Sequence, residues 1–413
     1  MALPQTFNRL AWSNLAAQSA EQVGLAATPI IAVLAFGAGA GATGALQTAQ
    51  TLPFLLFAIP TGIVADRTSR CGLMTAAEAL RVLALVSVVA LGSLGGLTLP
   101  LLAILGFIGA CGTVAYSVAA PALVPALVPR TALAAANGRL ELARTVAFVA
   151  GPALGGALVG WIGGAPAFGV AAALSTCAVV LLAGLREPVR AQLPPRHPID
   201  ELRDGARFVF RHRLLRPVLV TKIVFGMAFF VLQAVYVPYA VHRLGLSAAA
   251  VGATLAAYGV GMIVGALVTP RLVRALPFGR VIALGPVTGV VAAVVMVLTL
   301  WMPSALLAGA SFFLIGAGPI VWVITTGTLR QIVTPAELLG RVSAIDITAY
   351  GARPVGALIG ATVGGLYGVE ACLIVAALGF AAQAAVILAS PVLWLERQPE
   401  MAGQQAGEQR RRG

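Results

Sequence analysis

Twelve stretches of about 20 predominantly apolar residues follow one another along the chain, each long enough to cross the ~30 Å hydrocarbon core of a bilayer as a helix. Their limits are near 10–36, 44–65, 73–95, 99–120, 138–162, 165–185, 216–241, 248–270, 279–300, 304–326, 341–366 and 369–395. A soluble core cannot hide so much apolar surface. Of 413 residues, 59% are apolar and 10% charged, where a soluble domain carries roughly 25% charged residues. The same composition excludes a disordered chain, a collagen repeat and a disulfide scaffold. The 47 glycines lack a three-residue period, and Cys71, Cys111, Cys177 and Cys372 are too scattered for a framework or a metal site.

A net charge of +13 would point to nucleic acid in a soluble protein. Here its placement says otherwise. Of the 27 basic residues, 22 lie at or beside the even-numbered loops and the two termini, and Arg243 alone falls in an odd-numbered loop. The remaining four, Arg81, Arg144, Lys222 and Arg353, fall within spans. The positive-inside rule then predicts a multi-pass protein of a bacterial-type inner (plasma) membrane with both termini cytoplasmic, and no nucleic-acid partner.

The arginine-rich segment after span 6 divides the chain into a six-helix bundle (1–188), a cytoplasmic linker (189–215), a second six-helix bundle (216–396) and a polar tail (397–413) expected to be disordered. In the linker, Ile199, Leu202, Ala206, Val209 and Phe210 recur at helical spacing opposite Arg203, Asp204, Arg207 and Arg211. That pattern predicts an amphipathic helix on the cytoplasmic leaflet. The halves also repeat. A shift of 205 places Glu141 on Asp346, Gly151 on Gly356 and Gly155 on Gly360. The expected fold is therefore an all-α membrane protein, twelve transmembrane helices in two pseudo-symmetric six-helix bundles, with a transport site between them. No P-loop, catalytic triad or metal-ligand spacing is present, so neither an enzyme nor a cofactor is expected.

The loop after span 2, Gly62-Ile-Val-Ala-Asp66-Arg67-Thr-Ser-Arg70-Cys71, resembles the G-x-x-x-D-R-x-G-R-R/K signature of the major facilitator superfamily, with Ser69 for the usual glycine and Cys71 for a basic residue. Gly151-Pro152-Ala-Leu-Gly155-Gly156 resembles the G-P-x-x-G-G core of its drug/proton antiporters. The linker phrase from Asp200 and the phrase Thr334–Ala344 resemble the branch that includes macrolide efflux proteins and the enterobactin exporter. The resemblance implies an alternating-access, proton-coupled exporter of amphipathic small molecules such as macrolides. A siderophore or lipid-like metabolite is the alternative cargo, and an importer or a transport-inactive receptor stays open. Such a protein is expected to work as a monomer with a small-molecule substrate and protons as partners.

An ionisable group inside the bilayer costs at least ~2.5–3.5 kcal/mol at a helix centre, so each in-span charge needs a reason. Glu21 lies about 16 Å into span 1 at 1.5 Å per residue, near the midplane. It shares a stripe with Asn14, Gln18 and Thr28, which is expected to face the central cavity. Poorly hydrated surroundings favour the neutral form of a carboxyl, which suits a reversible proton carrier. Glu141 and Asp346 are further candidates for proton coupling. Lys222 begins a second stripe with Gly226, Phe229, Gln233 and Tyr236. It would either hold an anionic group of the cargo or neutralise Glu21 or Asp346. Glu78 with Arg81 and Glu141 with Arg144 have i, i+3 spacing. With Asp66, Arg67, Arg70 and Arg341 they are expected to form a cytoplasmic gate, the Asp66 role being carried by the family resemblance. Gly151, Pro152 and Gly155 would add a close-packed, bent hinge.

Overall fold

In lipid a backbone must satisfy its own hydrogen bonds, so each apolar stretch is expected to become a helix. The computed structural model describes residues 4–129, 132–185, 187, 198–335 and 338–398. The first bundle contains α1 (Gln5–Phe36), α2 (Ala40–Arg67), α3 (Arg70–Ser93), α4 (Leu99–Leu127), α5 (Leu133–Ile162) and α6 (Gly164–Ala183). After the linker helix α7 (Pro198–Arg211), the second contains α8 (Leu215–His242), α9 (Ala248–Ala275), α10 (Phe278–Leu298), α11 (Ala305–Val333), α12 (Leu339–Thr348) and α13 (Ala352–Leu388). Ser69, the departure from the family signature, caps α3 by accepting from the Gly72 amide at 3.0 Å. Its hydroxyl lies 2.8 Å from Glu187, whose carboxylate also accepts from the Cys71 amide at 3.1 Å. That negative charge suits the positive end of α3.

Among the described residues eleven helices are long and apolar enough to span, and the last holds two spans. Gly368 (φ 86, ψ 176) folds α13 into two legs. Gly163 (φ 90, ψ 175) makes the corresponding turn between α5 and α6, 205 residues earlier. The repeat is thus preserved in backbone torsions that only glycine adopts readily. Span 11 is itself interrupted by a 3-10 turn at Ala349–Gly351. Pro354 has no N–H to donate to the Tyr350 carbonyl, one reason the helix tightens there.

Equivalent glycines pack equivalent helices. A Cβ on Gly151 would lie 2.3 Å from Gln22 of α1, and one on Gly356 would lie 2.3 Å from the carbonyl of Met227 in α8. Gln22 and Met227 are also 205 apart. Gly155 meets Val23 and Ala26, and Gly360 meets Val231 and Ala234. Different glycines join the bundles. A Cβ on Gly156 would come within 2.5 Å of the Ala248 carbonyl and 2.7 Å of the Gly252 Cα in α9. One on Gly44 would come within 2.5 Å of the Ala361 Cα. The Thr43 hydroxyl donates to the Ala234 carbonyl at 2.8 Å. These approaches lie near the α1–α2, α5–α6 and α8–α9 turns, at the ends of the helices opposite the linker.

The linker helix differs from its expected setting. Val209 is buried with Leu215, Leu219, Val342 and Ile345, so this face packs on α12 and the start of α8 rather than on lipid. A Cβ on Gly205 would lie 2.7 Å from the Arg341 carbonyl, and Asp204 pairs with Arg341 at 3.0 Å. Phe210 stays 55% exposed. The side chains of Ile199 and Leu202, and the tail from 399, lie outside the described residues.

Between α7 and α8, His212 Nδ1 accepts from the Leu214 and Leu215 amides at 3.2 and 3.3 Å. Burial holds its pKa below the ordinary 6.5. Its contribution to folding is therefore complete above that value and is lost as pH falls through the lower folded value. The gap in Tm between the wild type and His212→Ala is expected to narrow as pH is taken from about 7.5 to about 5; an unchanged or widening gap would contradict this. Gly156→Val is expected to wedge α5 from α9 and lower Tm by several degrees, consistent with ~1–3 kcal/mol for overpacking.

Candidate functional site

A cavity of about 380 Å³ lies between the bundles, bounded by α1, α2, α3, α4 and α5 on one side and by α8, α9, α11 and the Tyr350–Arg353 segment on the other. Its surface is largely apolar and aromatic, with Phe54, Phe148, Phe225, Phe229, Tyr258 and Trp322 among the lining side chains. Stacking of Phe225 on Phe229 (5.7 Å) and of Phe229 on Tyr258 (5.4 Å) makes one wall. Glu21, Arg81, Arg144, Lys222 and Arg353 supply its charge.

The four cations have different surroundings. Arg81 pairs with Glu78 at 2.9 Å, both deeply buried. It also donates to the Ala17 carbonyl at 3.0 Å and to Thr113 at 2.6 Å, while Ser175 donates to Glu78 at 2.8 Å. One pair thereby ties α1, α3, α4 and α6 together. Arg144 grips Glu141 through its Nε and Nη2, leaving Glu141 57% exposed. Lys222 lies 2.5 Å from Asp346, which Arg330 approaches at the same distance. Of the two roles read for Lys222, neutralisation of Asp346 is the one the geometry displays. Arg353 has aromatic rings about it and, among the described residues, no carboxylate within ion-pair distance and no hydrogen-bond acceptor; Glu21 across the cavity acts on it at longer range.

Glu21 is the only carboxylate among the described residues lining the cavity, and it makes no ion pair or hydrogen bond with them. Thr28, Lys222, Phe229 and Gln233 join it there. Three members of the expected stripes do not. Asn14 turns to α5 and donates to the Leu140 carbonyl at 3.2 Å. Gln18 is half-buried away from the lining. Tyr236 is fully buried, its hydroxyl 2.5 Å from that of Thr254 and its ring edge-on to Phe312. Helical spacing puts them on one face, but helix α1 leaves the cavity at Asn14 to pack on α5, and Tyr236 points from α8 toward α9 and α11.

The described members of the expected gate have separate surroundings. Arg70 is buried and donates to the Ala122 carbonyl in α4, Arg67 is exposed, and Arg341 is taken by Asp204. The Asp66 side chain lies outside the described residues. Among the described residues no ion pair joins one bundle to the other. Gly151 and Gly155 face α1 within their own bundle, whereas the Pro152 carbonyl and Gly156 face Gly252 of the other. Arg330 belongs to the basic residues that mark orientation, and Arg353, seven positions after Asp346 in span 11, is an in-span cation to which the sequence pattern assigns no binding role. The unmatched cation beside Pro354 was the available clue to the second.

This arrangement, two related six-helix bundles about a central cavity, is the architecture of a membrane transporter. The chain matches the family described as transmembrane secretion effector, MFS_3, over residues 20–409, and it belongs to that family and to the major facilitator superfamily. The enterobactin exporter EntS of Citrobacter koseri is 30% identical over 226 residues, 54% of this chain and 53% of the relative. The match thus spans about half the length of that curated relative. A bacterial homolog of the human lysosomal transporter Spinster, inward-facing, superposes with a TM-score of 0.73 at 15% identity, covering 96% of this chain and 100% of that one. A bacterial homologue of the iron transporter ferroportin superposes with a TM-score of 0.73 in its inward-facing state (17% identity, 94% and 99% covered). In its outward-facing state the values are 0.63, 16%, 93% and 99%.

Replacing Arg81 by Met would strand Glu78 in a dry interior. Removal of one partner of a buried pair costs about 3–5 kcal/mol. Arg81→Met is therefore expected to lower Tm sharply in detergent, and the double variant Arg81→Met with Glu78→Leu to recover much of the loss. A double variant no more stable than the single would contradict this account.

Proposed function

We propose that the protein is a proton-coupled exporter of amphipathic small molecules in a bacterial-type inner membrane. The observation that carries the reading is Glu21, an acid without a partner among the described residues, facing a largely apolar cavity between two bundles. An outward-facing state takes a proton on Glu21 and releases cargo; an inward-facing state returns the proton and binds cargo. Glu141 and Asp346 already face cations and act as fixed neutralising charges in this scheme. With the termini cytoplasmic, as the basic residues favour, the close Gly156–Gly252 and Gly44–Ala361 approaches close the external mouth. The better superposition on the inward-facing than on the outward-facing ferroportin homologue supports the same state.

The aromatic lining of the cavity supports amphipathic drugs, such as macrolides, as the proposed cargo. A second reading, export of a siderophore or related acidic metabolite, is favoured by the EntS relative and by the basic character of the cavity. Drug-resistance assays in an efflux-deficient host, set beside measurement of siderophore secretion under iron limitation, separate the two.

In proteoliposomes an imposed pH gradient is expected to drive uphill transport by the wild type. Glu21→Gln should lose at least tenfold of that rate while keeping its Tm and its counterflow exchange. Uphill transport by Glu21→Gln at the wild-type rate would show that coupling lies elsewhere.

A further inference from the structure

The second bundle's side of the cavity is electrically unlike the first. In the first bundle Arg81 and Arg144 are each matched by a carboxylate, and Glu21 is left over. Around the cavity and its edge, the second presents Lys222, Arg330 and Arg353 against one carboxylate, Asp346. Asp346 holds the first two, which leaves Arg353, among the described residues, without a carboxylate in ion-pair contact; Glu21 of the first bundle acts on it only at longer range across the cavity. Its guanidinium carbon lies 4.2 Å from the centre of the Tyr350 ring, 5.3 Å from Phe54 and 5.6 Å from Phe230. Rings about a guanidinium attract its charge and limit its motion, but they leave N–H donors unfilled. Arg353 is half-buried, so its unfilled donors face the cavity, where oxygen atoms of a ligand can meet them in place of water.

From this geometry we infer that Arg353, walled by Phe54, Phe230 and Tyr350, binds the anionic end of an aromatic cargo, a carboxylate or phenolate attached to a ring. The inference rests on the exporter reading for its biological meaning, and on the cavity alone for its chemistry. Arg353 offers the planar pair of donors that a carboxylate accepts side by side. The three rings offer stacking or edge contacts to the arene that bears it. Lys222 lies 4.8 Å from the centre of the same Tyr350 ring and adds positive potential without being free to bind, since Asp346 occupies it. Phe54 belongs to α2 of the first bundle, while Phe230, Tyr350 and Arg353 belong to the second. The pocket is therefore assembled by both bundles, and relative movement of the bundles takes it apart. A ligand held there senses which way the protein faces.

The test uses purified full-length protein at neutral pH and two probes of nearly equal shape, 1-naphthoate and its uncharged amide, 1-naphthamide, with binding read by isothermal titration calorimetry. Wild type is expected to bind the carboxylate at least tenfold more tightly, the range for hydrogen bonds to a charged group being about 10- to 100-fold. Arg353→Gln should erase that preference while leaving amide binding within about twofold. Arg353→Lys, which keeps the charge but not the planar pair of donors, should retain only part of the preference. Equal binding of the two probes to wild type, binding of neither, or a preference that survives Arg353→Gln would overturn the assignment. Tm values within a few degrees of wild type establish that the variants are folded; if Arg353→Gln is not, loss of the preference in Glu21→Gln with Arg353→Lys unaffected would equally overturn it. Because binding is measured without a gradient, a wild type that shows the preference but transports nothing refutes the exporter reading and leaves the Arg353 site standing.

Discussion

Charge inside a low-dielectric slab has to be answered by opposite charge, by hydrogen bonds or by polarisable rings, and that requirement organises this molecule. Arg81 is answered by Glu78 at the junction of four helices, Arg144 by the carboxylate one turn before it, and Lys222 and Arg330 jointly by Asp346. The first and the last of these fix helices relative to one another, whereas the Arg144 pair stays within α5. What remains is an acid on one bundle and a guanidinium on the other, both facing the same cavity. The groups least satisfied within the protein are those with most to gain from a proton or a ligand.

The pseudo-symmetry makes the division of labour intelligible. Gly151 and Gly155 of α5 against α1 correspond to Gly356 and Gly360 of α13 against α8, so the same close crossing is used twice to build a bundle. Glu141 and Asp346 also correspond, but their partners have diverged: a neighbour on the same helix in one case, two cations from other helices in the other. Packing has kept the repeat, while the polar cavity has not. Asymmetry there is what allows one wall to hold an unmatched acid and the other an unmatched base.

Much of the architecture was legible in the sequence because hydrophobic length and glycine spacing are local signals. The spans, the halves and the cavity positions of Glu21, Lys222, Phe229 and Gln233 all follow from periods of 3.6 or 205 residues. The rest depends on distance across helices, which periodicity does not encode. Asn14 and Tyr236 share their stripe with cavity residues, yet neighbouring helices claim them. Arg341 has the composition of a gate residue and is held by Asp204, 137 positions away. Val209 was correctly placed on an apolar face, but a sequence does not say whether that face meets lipid or protein.

The crossings of Gly156 on Gly252 and of Gly44 on Ala361 have a mechanical consequence. Side chains that interlock must leave one set of rotamers and find another when a surface parts, and each long one so reordered carries up to about 2 kcal/mol of conformational entropy. Bare backbone has no such teeth. Where two helices touch through glycine and alanine, the surface behaves as a smooth bearing: separation forfeits dispersion contacts but unlocks nothing. A door hung on that bearing can swing often without wearing a preferred stop into either position.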